Sequence, residues 1–166
     1  KKEVKMRKLL LLLCFLISGY SYATHVVGGE ITYQHVGGSS YILTLKMYKD
    51  CGPTSVDFPT NATIQVRNGD GSSPAVSSFT LPRLGRDTLN PALDTCAFDP
   101  GICVEEAIFS SVVSLPPGTG GYHLYMVYCC RNGSILNITS PLNARETFYA
   151  YVPDNNIYLT NSSPVI

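Results

Sequence analysis

Tyr122-His123-Leu124-Tyr125-Met126-Val127-Tyr128 changes character at every step. In an extended chain Tyr122, Leu124, Met126 and Tyr128 fall on one side, and His123, Tyr125 and Val127 on the other. That period of two is the signature of a strand with unlike faces. The same alternation sets Leu43, Leu45 and Met47 against Thr44, Lys46 and Tyr48, and Ile31, Tyr33 and His35 against Glu30, Thr32 and Gln34. Residues 148–152 add a short aromatic run.

Between these runs stand turn signals: Gly37-Gly38-Ser39-Ser40, Asn68-Gly69-Asp70-Gly71, Pro116-Pro117-Gly118, Asn132-Gly133 and Pro153-Asp154-Asn155. All eleven prolines lie beyond residue 23 and leave little room for long helices. Val104, Ile108, Val112 and Leu115 sit at helical spacing, but the β-branched content and the closing Pro116-Pro117 favour a strand. Residues 72–99 are poorer in pattern and are expected to hold long loops or edge strands. Seven or so short strands in roughly 140 residues predict an all-β fold, a sandwich of two antiparallel sheets.

The N-terminus has a different logic. Lys1, Lys2, Lys5, Arg7 and Lys8 lead into an apolar block at residues 9–17, and small and polar residues follow, ending Ser21-Tyr22-Ala23. These are the three parts of a secretory signal, so residues 1–23 are expected to be removed after Ala23, leaving a domain at 24–160 and the start of a linker at 161–166. The apolar block is shorter than the roughly 20 residues that span a bilayer, and no longer one follows, so no membrane span is expected in the mature chain. Leu11, Leu12 and Leu13 precede Cys14 where a lipidation site needs small residues. The chain opens on Lys1 while Met6-Arg7-Lys8 makes an ordinary start, so residues 1–5 are read as an overrun. The signal holds five of the twelve basic residues and one of the twelve acidic ones, leaving seven against eleven and a net charge of −4. A mildly acidic domain does not suit nucleic acid.

Five cysteines remain: Cys51, Cys96, Cys103, Cys129 and Cys130. Export favours disulfides over metal or redox chemistry. Cys96 and Cys103 flank a short loop and are expected to close it, with Cys51 joined to Cys129 or Cys130 and one thiol left over. No C-x-x-C pair occurs, and His25, His35 and His123 are far from the cysteines in sequence, so neither a metal nor another cofactor is expected.

Catalysis needs a polar constellation, and none is legible. Glu105 and Glu106 are adjacent and face opposite sides of a strand, and no nucleophile elbow, zinc helix or phosphate loop is present. Asn68-Gly69-Asp70-Gly71-Ser72 spaces oxygen ligands like a calcium loop, but Ser73 stands where glycine is required, so it reads as a hairpin turn. Asn61, Asn132, Asn137 and Asn161 begin glycosylation sequons, relevant only to a eukaryotic secretory route. Nine tyrosines follow the signal. They read first as cross-strand pairs holding the sheets, and second as a surface for binding.

Thr24-His25-Val26-Val27-Gly28-Gly29-Glu30-Ile31-Thr32-Tyr33 resembles the opening of a family of large Bacteroidetes surface proteins. Further blocks agree in order: residues 41–45 leading into Met47-Tyr48-Lys49-Asp50-Cys51-Gly52, then Ile102-Cys103-Val104-Glu105-Glu106, Gly120-Gly121-Tyr122-His123-Leu124, Cys129-Cys130-Arg131-Asn132 and Asn161-Ser162-Ser163-Pro164. The resemblance covers essentially all of residues 24–166 and is specific as a set. It implies an immunoglobulin-like N-terminal module of a longer protein, often continuing into PKD-like repeats and a gliding-motility-associated sorting domain read by type IX secretion. Relatives run on past Pro164-Val165-Ile166, so the chain is read as a fragment. The expected role is non-enzymatic, in adhesion, surface arrays or gliding, with glycan binding or service to a secreted hydrolase as the alternative. Expected partners are surface glycans or other surface proteins.

Overall fold

The alternating stretch at 122–128 is a strand, and the pattern that marks it recurs along the chain. The computed structural model describes residues 26–52, 56–69, 77–89, 103–133 and 135–164. The expected signal segment, His25 and Cys96 lie outside the described residues. Seven strands carry the fold: β1 (Val26–Gly37), β2 (Ser40–Asp50), β3 (Asn61–Asn68), β4 (Ser77–Leu89), β5 (Val104–Ser114), β6 (Tyr122–Cys129) and β7 (Arg145–Val152). One 3-10 turn, Pro141–Asn143, precedes β7. Every neighbouring pair in the order β1-β2-β5-β4-β3-β6-β7 is antiparallel.

β4 divides that ribbon into two layers. Residues 77–82 pair with β3, and residues 83–89 pair with β5. At the changeover Pro82 has no N–H to give a ladder, and the register slips between Arg83 and Gly85. One layer is then β1-β2-β5 with the end of β4, the other β3-β6-β7 with its beginning. Read by chain order, first-second-fifth-fourth against third-sixth-seventh is the constant-type immunoglobulin order. Residues 77–89, expected as loops or an edge, form the longest strand and margin both layers.

Alternation puts one face of each strand inside. In β7 the inward side chains are Glu146, Phe148, Ala150 and Val152, and the outward ones Arg145, Thr147, Tyr149 and Tyr151. Leu43, Leu45 and Met47 from β2, Phe109 from β5, Ile64 from β3 and Leu124 from β6 are wholly buried between the layers. Each such side chain contributes about 1.5–3 kcal/mol by leaving water. Along the seam where β1 nears β7, a Cβ on Gly29 would stand 2.6 Å from the Lys46 carbonyl oxygen and 2.7 Å from the Phe148 ring. Only glycine lets that ring lie against the backbone of β1.

The corner between β5 and β6 is a tyrosine corner. The Tyr122 hydroxyl donates to the Pro116 carbonyl, six residues back. Buried Asn155 braces the same corner, donating to the Leu115 carbonyl at 2.9 Å and accepting from the Gly118 N–H at 3.0 Å. The immunoglobulin tryptophan is absent, since the chain contains none.

The sulfur bridges differ from the expected pairing. Cys51, at the end of β2, joins Cys103, just before β5, with Cα atoms 5.3 Å apart. β2 and β5 are neighbours, and the Asp50–Val104 pair hands the two cysteines directly to one another. Cys103 is therefore not joined to Cys96. Cys129 and Cys130 are bonded to each other rather than to Cys51. The reading that treated them as rivals for a distant partner assumed a continuing strand, but β6 ends at Cys129.

The residues expected to open a linker lie along β1. The Ser163 N–H donates to the Tyr33 carbonyl at 2.8 Å, and the Ser163 and Ser162 hydroxyls accept from the Tyr33 and His35 N–H groups, both at 3.0 Å. These bonds occupy part of the outer edge of β1, which would otherwise invite another strand.

Candidate binding face

The outer face of β3-β6-β7 is a lattice of aromatic and polar side chains set by register. Arg67 pairs with His123, and His123 with Tyr151; one step along, Gln65 pairs with Tyr125, and Tyr125 with Tyr149. Directly paired residues project to the same side, so these six share one surface. Tyr149 and Tyr151 are 54% and 41% exposed, which sets them apart from Tyr41 and Tyr122 in the core.

Hydrogen bonds fix the rings. His123 Nε2 lies 2.8 Å from the Gly69 carbonyl oxygen, which can only accept, so Nε2 carries the proton. Nδ1 then accepts from the Tyr149 hydroxyl at 2.7 Å. The Tyr151 hydroxyl donates to the Gly120 carbonyl at 3.0 Å, and Arg67 Nε donates to the Tyr125 hydroxyl at 2.9 Å while its guanidinium lies 5.0 Å from that ring's centre. The His123 and Tyr151 rings sit 4.9 Å apart. Gly121 admits this arrangement: its φ of +73° suits glycine, and a side chain there would strike the Val152 carbonyl and the Tyr151 hydroxyl.

Apart from Asp154, at the Gly120 end of this face, the described acidic side chains that carry ion pairs or hydrogen bonds stand elsewhere. On the outer face of the other layer Lys46 Nζ lies 3.5 Å from Glu106 and 3.8 Å from Glu30. Burial, with the Glu30 and Glu106 charges, pushes the neighbouring Tyr48 phenol up to about 12. Glu30, Thr32, Gln34 and Lys46 line, with Ser162 and Pro164, an open groove of about 340 Å³. Glu105 bonds Lys49, confirming that the vicinal glutamates diverge. Asp57 meets Arg86 at 2.9 Å; slight burial opposes its ionisation, but the Phe58 N–H and the two arginines outweigh that and hold its carboxyl below the usual range. Asp50 accepts from Asn132 at 2.7 Å, and Asp154 accepts from the Gly120 and Asn156 N–H groups, which lower its pKa.

Of the residues singled out in the sequence, His123 joins this lattice, while His35 holds its own hairpin through the Gly38 carbonyl at 2.9 Å. Asn68 ends β3 and Gly69 follows it in the turn beside the face, and the rest of the calcium-like loop lies outside the described residues. Asn132 and Asn161 donate side-chain hydrogen bonds to Asp50 and Tyr33; Asn61 and Asn137 are exposed. Among the described residues no three His, Cys, Asp or Glu side chains gather as metal ligands, and no helix is long and apolar enough to cross a membrane. Arg67 and Gln65 were not anticipated; the signal was there in the alternation of Ala62, Ile64 and Val66 with Thr63, Gln65 and Arg67.

No protein-family model matches the chain, and neither does any curated protein or solved structure. The fold and the face are therefore read from the chain's own geometry.

Proposed function

We propose that the chain is a non-enzymatic adhesion module of an exported, surface-displayed protein, and that it attaches through glycans laid across the outer face of β3-β6-β7. The observation that carries this reading is the half-exposed pair Tyr149 and Tyr151, whose hydroxyls are already engaged by His123 and Gly120. Rings set in place before binding lose little freedom when a ligand arrives. The negative face of an aromatic ring attracts the C–H groups that line a pyranose, and the polar neighbours Gln65 and Arg67 meet its hydroxyls.

Export rests on the signal pattern at residues 1–23, and the Cys51–Cys103 bridge suits an oxidising compartment. Surface display rests on the resemblance to the Bacteroidetes family. A non-enzymatic role is favoured because the described carboxylates near cations serve in ion pairs rather than around a reacting centre.

The test is binding of the oxidised chain to a panel of plant and microbial polysaccharides, alongside adhesion of host cells displaying it. Tyr149→Ala combined with Tyr151→Ala is expected to abolish both with little change in melting temperature. Silence of the unaltered chain across the panel sinks the glycan reading, and unchanged adhesion after deletion of the module sinks the adhesion role.

A further inference from the structure

The charge pattern of this face names the class of glycan, an inference that rests on the glycan reading above. Arg67 stands in the row of His123 and Tyr151, and Arg145 projects from the same outward side of β7 as Tyr149. Among the described residues no Asp or Glu projects outward from the strands of this face, Asp154 standing past the end of β7 on the Gly120 N–H, although the chain beyond residue 23 carries a net charge of −4. The one acid of β7, Glu146, points inward and is buried behind the face. On the outer face of the other layer, by contrast, two carboxylates, Glu30 and Glu106, flank a single ammonium, Lys46.

We propose that the face binds an acidic polysaccharide, with uronate carboxylates meeting the arginines while pyranose rings lie on Tyr149 and Tyr151. A guanidinium is suited to this role because it stays charged and matches a carboxylate with two parallel hydrogen bonds. A positive face on an acidic domain also orients the approach of a polyanion and repels it from the other layer. Spacing requires a polymer: Arg67 lies two strands from Tyr151, about 10 Å, and Arg145 four residues from Tyr149, about 13 Å. One sugar cannot reach the rings and both arginines.

The experiment measures binding of the full oxidised chain to polygalacturonate, to its methyl-esterified form, in which the same sugars have lost their charge, and to polyglutamate, which has carboxylates without sugars. At low ionic strength the acid polysaccharide is expected to bind about tenfold tighter than the ester, with the gap narrowing in salt. Arg145→Gln, an exposed substitution, is expected to weaken the acid polymer several-fold and leave the ester unchanged. Equal binding of acid and ester, or preference for the ester, overturns the acidic assignment and leaves the glycan reading standing. Polyglutamate bound as tightly as polygalacturonate also overturns it, since the rings would then contribute nothing. Binding of none of these, nor of any polysaccharide in the wider panel, removes both readings.

Discussion

The Tyr122 hydroxyl donates to the Pro116 carbonyl, which also accepts from Asn155 Nδ2 at 3.3 Å. Burial raises this phenol's pKa, so it remains a donor throughout the ordinary pH range. Tyr41 presents the opposite case: it is 1% exposed, and its hydroxyl has no hydrogen-bond partner among the described residues. Tyr122→Phe is expected to destabilise the chain by about 0.5–1.5 kcal/mol, because it removes the hydrogen bond that ties the start of β6 to the corner. Tyr41→Phe is expected to be neutral or stabilising by up to about 1 kcal/mol, since it removes an unmatched polar atom. Urea unfolding of both variants checks the pair; the same sign for both contradicts the assignment.

Lys49 is nearly buried at the end of β2, where its ammonium lies 3.2 Å from Glu105, 3.1 Å from the Val56 carbonyl and 4.9 Å from the centre of the Phe58 ring. Removing one member of such a pair leaves the other charge without its counterion, and Glu105→Ala is expected to cost about 2–4 kcal/mol. Replacing both by apolar residues, Lys49→Met with Glu105→Leu, is expected to recover most of that loss. A double-mutant cycle reads the coupling directly. By contrast Glu30→Gln, at a half-exposed partner of Lys46, is expected to change stability by less than about 1 kcal/mol.

Much of this fold is legible because buried strands must alternate. Leu43, Leu45 and Met47, like Leu124 and Met126, mark β2 and β6 without reference to anything distant, and Pro116-Pro117 resolves β5 against a helix. β4 is less legible because Pro82 and Gly85 interrupt its pattern where it crosses from one layer to the other, a tertiary event that local pattern does not encode. Disulfide pairing is likewise set by which strands are neighbours: the adjacency of β2 and β5 brings Cys51 to Cys103, while sequence proximity favours Cys96. For the face, alternation identifies His123 and Tyr125 as one side of β6. It does not reveal that Arg67 and Tyr151 flank that side, because register between strands depends on loop geometry.

Glu146 points inward from β7, is 7% exposed and has one carboxylate oxygen without a hydrogen-bond partner among the described residues. Burial raises its pKa above the usual 4.5, and the opposing charge of Arg131 offsets only part of that. The native state therefore holds its proton more tightly than the unfolded chain does. Its contribution to stability is full below the unfolded value and is lost as pH rises through the raised folded one. Glu146→Gln is expected to matter little near about pH 4 and to raise the melting temperature by a few degrees near about pH 7. Melting curves across that interval decide it; a variant that is less stable at neutral pH shows that the carboxylate is favourably paired.

The Cys51–Cys103 bridge spans 52 positions in sequence, a segment containing all of β3 and β4. Tying the two ends shrinks the unfolded ensemble, which by chain-entropy reasoning stabilises the native state by about 4 kcal/mol. Measured losses usually fall within about 2–5 kcal/mol, so Cys51→Ser with Cys103→Ser is expected to lower the denaturation midpoint by a corresponding amount. The strand order does not need the bridge, because Asp50 pairs with Val104 and the Cys51 N–H reaches the Cys103 carbonyl at 3.2 Å through the backbone alone. The double variant is therefore expected to keep a β-sheet circular dichroism spectrum and its glycan binding at low temperature. Peptide mapping without reductant supplies the complementary check: the Cys51 peptide is expected to travel with the Cys103 peptide, and Cys129 and Cys130 to be oxidised within one peptide. Recovery of Cys103 linked to Cys96 instead means that β2 and β5 are held together by their ladder alone.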